Sequence, residues 1–127
     1  MIFFVAGKPV PQGSMSYFKG RMVHQNDKEL QAWRDIVGWC ARRYFPEQLK
    51  GAVTLTVEFI LPKPKSVTRD EPFVKPDLDK LVRAIGDALT GIAFADDSQV
   101  TALVATKRYA VNELVGVRIS VQTTDAD

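Results

Sequence analysis

The chain has 127 residues, 46% of them hydrophobic and 25% charged, with a net charge of +2. That balance fits one globular domain with its own core, and no apolar run approaches the ~20 residues that cross a bilayer, so no membrane role is expected. The lone Cys40 and lone His24 exclude an internal disulfide, a Cys/His zinc cluster, and any Ser-His-Asp or Cys-His mechanism that does not use His24.

A single cysteine suits a reducing cytoplasm, and the N-terminal apolar stretch lacks the basic start of a signal peptide. The net charge hides an asymmetry. Residues 1–70 carry 11 Lys/Arg and 6 Asp/Glu, whereas residues 71–127 carry 6 and 9. A basic half beside an acidic half suits a polyanion held next to a metal site, and equally an ordinary solvated surface.

Ile2 to Ala6 reads as a short buried strand, ended by the turn-rich Gly7–Ser14. Tyr17 to His24 reads as a small hairpin turning at Lys19-Gly20. Lys8, Lys19 and Arg21 beside Tyr17 and Phe18 mix cations with aromatics, as nucleic-acid surfaces and many loops do. Asn26, with Glu29 three residues on, starts a first helix, and Pro46 should stop it. Leu30, Trp33, Val37, Cys40 and Tyr44 follow at helical spacing and define its buried face. Trp39 points away from that face and is expected in a subunit interface or under a loop.

Val53 to Ile60 alternates with period two, with Val53, Leu55, Val57 and Phe59 on one face of a strand. A proline-rich loop follows, made locally basic by Lys63, Lys65, Arg69 and Lys75. It reads as a phosphate-backbone contact or a plain solvated loop. Leu78, Leu81, Val82, Ile85 and Leu89 form the apolar face of a second helix that ends at Thr90-Gly91. Strands Gln99 to Tyr109 and Leu114 to Val121 complete the chain, and residues 122–127 should fray. This order predicts one α+β domain over residues 1–127, a mixed sheet with two helices packed on it.

Five aspartates lie between Lys75 and Val100: Asp77, Asp79, Asp87, Asp96 and Asp97. Two acidic pairs, Asp77/Asp79 and Asp96/Asp97, flank the second helix. Were Asp77 and Asp79 both helical, they would point about 160° apart at 100° per residue. With Asp77 as the N-cap its backbone is extended, Pro76 favours that entrance, and the objection disappears. Each pair alone reads as a cap or a turn. Together they offer carboxylate oxygens for Mg²⁺ or Mn²⁺ rather than zinc. Such ions activate water in phosphodiester cleavage. Arg83, Lys80 or Lys107 could then meet the charge developing on phosphate. Lys107 shares a strand face with Thr101, Leu103 and Ala105 and reads otherwise as a snorkelling edge residue. Asp79, Arg83 and Asp87 form a stripe away from the apolar face, with Asp87 either structural or a partner to Arg83.

The stretch K-P-D-L-D-K-L-V-R-A-I-G-D-A-L-T-G, followed by A-D-D-S-Q-V and by Lys107, resembles the RusA-type Holliday junction resolvases. The opening G-K-P-V-P-Q-G resembles that family's N-terminal segment, so the likeness runs from about residue 5 to residue 109. The resemblance implies a Mg²⁺- or Mn²⁺-dependent homodimeric endodeoxyribonuclease. Such an enzyme cuts four-way DNA junctions in recombination and repair, and is often phage or prophage encoded. It places catalytic and metal-binding roles on Asp77, Asp79 and Asp97; beside them Asp96 would orient the loop or stand behind the metal ligands. Arg83 and Lys107 would meet the scissile phosphate, and Lys8, Lys63, Lys65, Arg69, Lys75 and Lys80 would contact DNA. The chain departs from the family pattern in three places. Lys80 replaces an asparagine, Arg83 replaces a lysine, and Ser14-Met15 stands where basic residues are common. A nuclease acting on flaps or forks, and a junction-binding dimer that has lost catalysis, are the other readings.

Overall fold

The computed structural model describes residues 1–13, 15–18, 21–24 and 27–124. Its elements are β1 (Ile2–Ala6), β2 (Met15–Phe18), β3 (Arg21–His24), α1 (Asp27–Arg42), β4 (Val53–Leu61), α2 (Leu78–Leu89), β5 (Val100–Tyr109) and β6 (Gly116–Thr123). A single 3₁₀ turn, Asp97–Gln99, precedes β5. The expected α+β architecture is present: a four-stranded sheet of order β1-β6-β4-β5 and a separate β2-β3 pair.

The sheet is mixed because β4 and β5 run parallel, joined by the crossover through α2, while β6 is antiparallel to both β1 and β4. Its side chains divide cleanly by face, as period-two alternation requires. Val53, Leu55, Val57 and Phe59 of β4 are buried, with Val117, Ile119 and Val121 of β6 beside them. Leu30, Trp33, Val37 and Ala41 from α1 and Leu81, Ala84, Ile85 and Leu89 from α2 join the same core. Both helices therefore lie on one face of the sheet. At Gly116 the sheet is so tight that a Cβ would collide with the Val5 carbonyl and the Phe4 ring, which leaves room only for glycine.

Several boundaries differ from the sequence expectation. Helix α1 ends at Arg42, four residues before Pro46, and Tyr44 leaves the helical face. Its ring stacks on Phe3, with centroids 4.7 Å apart and planes 13° from parallel, so an aromatic contact with β1 wins over one more helical turn. Ala41 takes the buried helical position instead. The β2-β3 pairing runs from Met15↔His24 to Phe18↔Arg21. The Lys19-Gly20 turn and the Asn26 helix start lie outside the described residues. Strand β6 continues to Thr123, and Thr124 N–H donates to Ala52 O at 2.9 Å, so the chain is held through Thr124, past the expected end at Val121. Trp39 is 66% exposed, and among the described residues no loop covers it. Among the described residues, no helix is long and apolar enough to cross a membrane.

Candidate active site

The loop after β4 delivers Asp77 to the N-terminus of α2. Asp77 stands at the N-cap with φ −68° and ψ 136°, the extended backbone expected of it, and Asp79 lies in the first turn of α2. Its side chain makes no capping hydrogen bond. The Asp77 carboxylate is thus not committed to the helix end, and it lies 3.8 Å from the Lys80 ammonium. Both aspartates are exposed.

Lys107 fixes this corner. Its Nζ donates to the carbonyls of Val74 at 2.7 Å and Pro76 at 2.8 Å, tying the loop ahead of Asp77 to β5. The N-terminal segment closes the other side. Gln12 N–H donates to Lys80 O at 3.0 Å, which lays residues 8–13 along the first turn of α2. The result is a groove of 390 Å³ whose walls include Lys8, Gln12, Lys75, Asp77 and Lys80. It adjoins a second hollow where Lys8 and Lys75 meet Arg69 and Tyr109. Lys63 sits over the Tyr109 ring at 5.7 Å and Arg69 over the Phe73 ring at 5.8 Å. The predicted DNA-contacting cations Lys8, Lys75, Lys80 and Arg69 are therefore brought together along one track past Asp77. Lys65 is exposed on the loop and lines neither hollow.

Asp97 is placed differently. Asp96 caps the 3₁₀ turn by accepting from Ser98 N–H at 3.2 Å. That bond holds the Asp96 carboxyl below its usual range. Asp97 is pushed the other way: its hydrogen bond with Asp96, burial, and the charges of Asp96 and Asp87 raise it, and Arg83 partly offsets them. Its electrostatic neighbours are thus residues of the middle and last turns of α2. At 1.5 Å per residue, the ten residues from Asp77 to Asp87 span about 15 Å. Among the described residues, no three acidic, histidine or cysteine side chains gather closely enough to hold an ion. Within one chain, Asp77, Asp79 and Asp97 do not meet.

Gln99 is a site residue that motif reading passed over. Its Oε1 accepts from the backbone N–H of Ala95 at 2.9 Å and Asp96 at 3.2 Å. Its Nε2 donates to Leu49 O and Gly51 O, each at 3.0 Å. One amide side chain thus anchors the Asp96-Asp97 turn to the connection between α1 and β4. The capping-box spacing from Asp96 to Gln99 was the available signal.

The donor chemistry suits a hard divalent cation. Mg²⁺ takes oxygen ligands, retains waters, and commonly uses only one or two carboxylates together with phosphate oxygens. The exposed pair Asp77 and Asp79 meets that description, beside lysines able to hold the phosphate.

The chain also matches known proteins. The family profile described as Endodeoxyribonuclease RusA matches residues 6–122. The uncharacterised protein YqaN of Bacillus subtilis (strain 168) is 32% identical over 132 residues, covering 92% of this chain and 93% of YqaN. With the match spanning β4, β5 and nearly all of β6, both helices and the cationic groove, the chain belongs to the RusA endodeoxyribonuclease family.

Proposed function

We propose that this protein is a metal-dependent, homodimeric endodeoxyribonuclease that resolves four-way DNA junctions. It would act in recombination and repair in the cytoplasm of a bacterial or phage-infected bacterial cell. The observation that carries this reading is the cationic groove of Lys8, Lys75 and Lys80 running past the uncapped carboxylate of Asp77, in a chain of the RusA family.

In this reading Asp77, Asp79 and Asp97 hold Mg²⁺ or Mn²⁺. The bound ion would supply an activated water and neutralise charge at the scissile phosphate. Because Asp97 stands toward the far end of α2 from Asp77, the set of three is completed by a second copy. Arg83 contributes a fixed positive charge rather than a proton, since a guanidinium does not deprotonate. Lys107 acts chiefly by positioning Asp77 through Pro76. Lys8, Lys63, Lys65, Arg69, Lys75 and Lys80 hold the DNA backbone.

The test is incubation of purified protein with a synthetic four-way junction and Mg²⁺. Symmetric nicking is expected, with Asp79→Asn reducing it by at least about 100-fold, more than is usual for loss of a metal's outer partner. No nicking by the wild type, or undiminished nicking by Asp79→Asn, overturns the proposal. Preferential cutting of flaps or forks would change the substrate. Junction binding that persists in EDTA with no Mg²⁺-dependent product would mark a binding dimer that lost catalysis through Lys80 and Arg83.

A further inference from the structure

Strand β5 is the outermost strand of the four-stranded sheet, and among the described residues no strand continues the sheet beyond it. It is ten residues long, so it presents roughly 33 Å of backbone at 3.3 Å per residue. The other edge, β1, has only five residues. Proteins protect long edges with charges, prolines or a covering element, because unpaired N–H and C=O groups template another strand. From Thr101 to Thr106, β5 has none of these: the stretch is Thr-Ala-Leu-Val-Ala-Thr.

The side chains there are apolar on both faces. Leu103 pairs with Leu55, so it belongs to the helix-bearing face where its neighbours on β4 are buried, yet it is 51% exposed. Val104, paired with Thr56 on the open face, is 55% exposed. The apolar core thus runs out to β5 and stops at an uncovered margin.

We infer that β5 is the dimer surface, pairing antiparallel with β5 of a second copy about a two-fold axis near Leu103 and Val104. A closed two-fold interface is self-complementary, so the two edge strands must run antiparallel. Charge agrees with that direction. The acidic Asp96 and Asp97 precede β5 and Lys107 lies near its end, while Arg108 beside it is already paired with Glu58 and Glu113, so antiparallel pairing sets the acidic end of each strand toward the Lys107 end of the other. A parallel arrangement would set like against like. Leu103 and Val104 lose their exposure against their own counterparts, and the two sheets become one of eight strands. This inference rests on the homodimeric reading above and adds the surface that makes the dimer.

The experiment is sedimentation of the full chain at micromolar concentration, wild type against Val104→Lys and Leu103→Lys, with circular dichroism and thermal melting on each. The expected result is a wild-type dimer and variants that sediment as folded monomers. As a second measurement, single cysteines at Ala102, Leu103 and Val104 in a Cys40→Ala background should form an intermolecular disulfide under oxidation. Cross-linking should be strongest at the residue nearest the axis, and a cysteine at Thr68 should stay unlinked. Folded variants that remain dimeric, without cross-linking on β5, overturn the surface and leave the dimer reading intact. A monomeric wild type overturns both. A dimer lost in the lysine variants supports the surface even if the wild type cuts no junction, a failure that would fall on the proposed activity alone.

Discussion

The ammonium of Lys107 donates to the carbonyl of Pro76 at 2.8 Å, one residue before Asp77. A residue on the sheet edge thereby sets where the first carboxylate of the site begins. Together with the Val74 carbonyl at 2.7 Å, this gives the loop ahead of α2 two charge-assisted bonds to a rigid strand.

Lys107→Met should keep the length of the side chain and lose both bonds. Charged hydrogen bonds contribute about 1.5–3 kcal/mol when well shielded, and partial exposure here puts the stability loss near ~1 kcal/mol. Nuclease turnover should fall by roughly 10-fold or more, since a misplacement of about 1 Å can cost 100-fold. Steady-state kinetics paired with chemical denaturation check this. Turnover unchanged alongside a clear stability loss would show that the loop needs no such anchor.

Gln99→Glu isolates the other half of the site. Glutamate retains an acceptor for the N–H groups of Ala95 and Asp96, but it cannot donate to the carbonyls of Leu49 and Gly51. The Asp96-Asp97 turn should loosen, and kcat should fall several-fold with little change in junction affinity. Hydrogen exchange at Ser98 and Gln99 should rise. Equal losses in affinity and turnover would point to a wider structural effect.

Lys8 and Lys75 line both hollows flanking Asp77. If each neutralises one backbone phosphate, Lys8→Ala and Lys75→Ala should each lower the slope of log Kobs against log salt by about 1. Lys50→Ala, on an exposed residue outside both hollows, should leave it unchanged. Fluorescence anisotropy in EDTA across a salt series measures the slopes without cleavage.

A pH effect arises away from the site. Arg108 Nη2 donates to Glu113 Oε1 at 2.9 Å and Val111 N–H donates to Glu113 Oε2 at 3.0 Å, just after β5. These bonds, the Arg108 guanidinium first, pull the Glu113 carboxyl from 4.5 down to about 2. A carboxyl lowered on folding stabilises the protein above its unfolded pKa, and that contribution is lost as pH falls through the folded one. The stability difference between wild type and Glu113→Gln should therefore be full above pH ~4.5 and shrink toward pH ~2. Denaturation series at several pH values, or a carboxyl titration of Glu113 by NMR, checks it.

The element order, the two buried helical faces and the alternation of β4 were legible in the residues because burial follows local period: 3.6 for a helix on a sheet, 2 for a half-buried strand. Pro76 before Asp77 announced an extended N-cap in the same local way. Tyr44 was misplaced because its partner, Phe3, is 41 positions away in the chain, and no period encodes that stacking.

The Lys75–Val100 stretch, by itself, determined the residue types of the site: oxygen ligands at both ends of one helix and cations beside them. Only the tertiary structure decided how they are grouped. A rigid helix of twelve residues keeps Asp77 apart from the Asp97 turn, so aspartates close in sequence are not together in space. The crossover through α2 leaves β5 at the margin of the sheet, where Lys107 reaches back to Pro76 and Leu103 and Val104 remain uncovered. Those relationships depend on strand order and on long-range hydrogen bonds, which join residues without leaving a repeat in the chain.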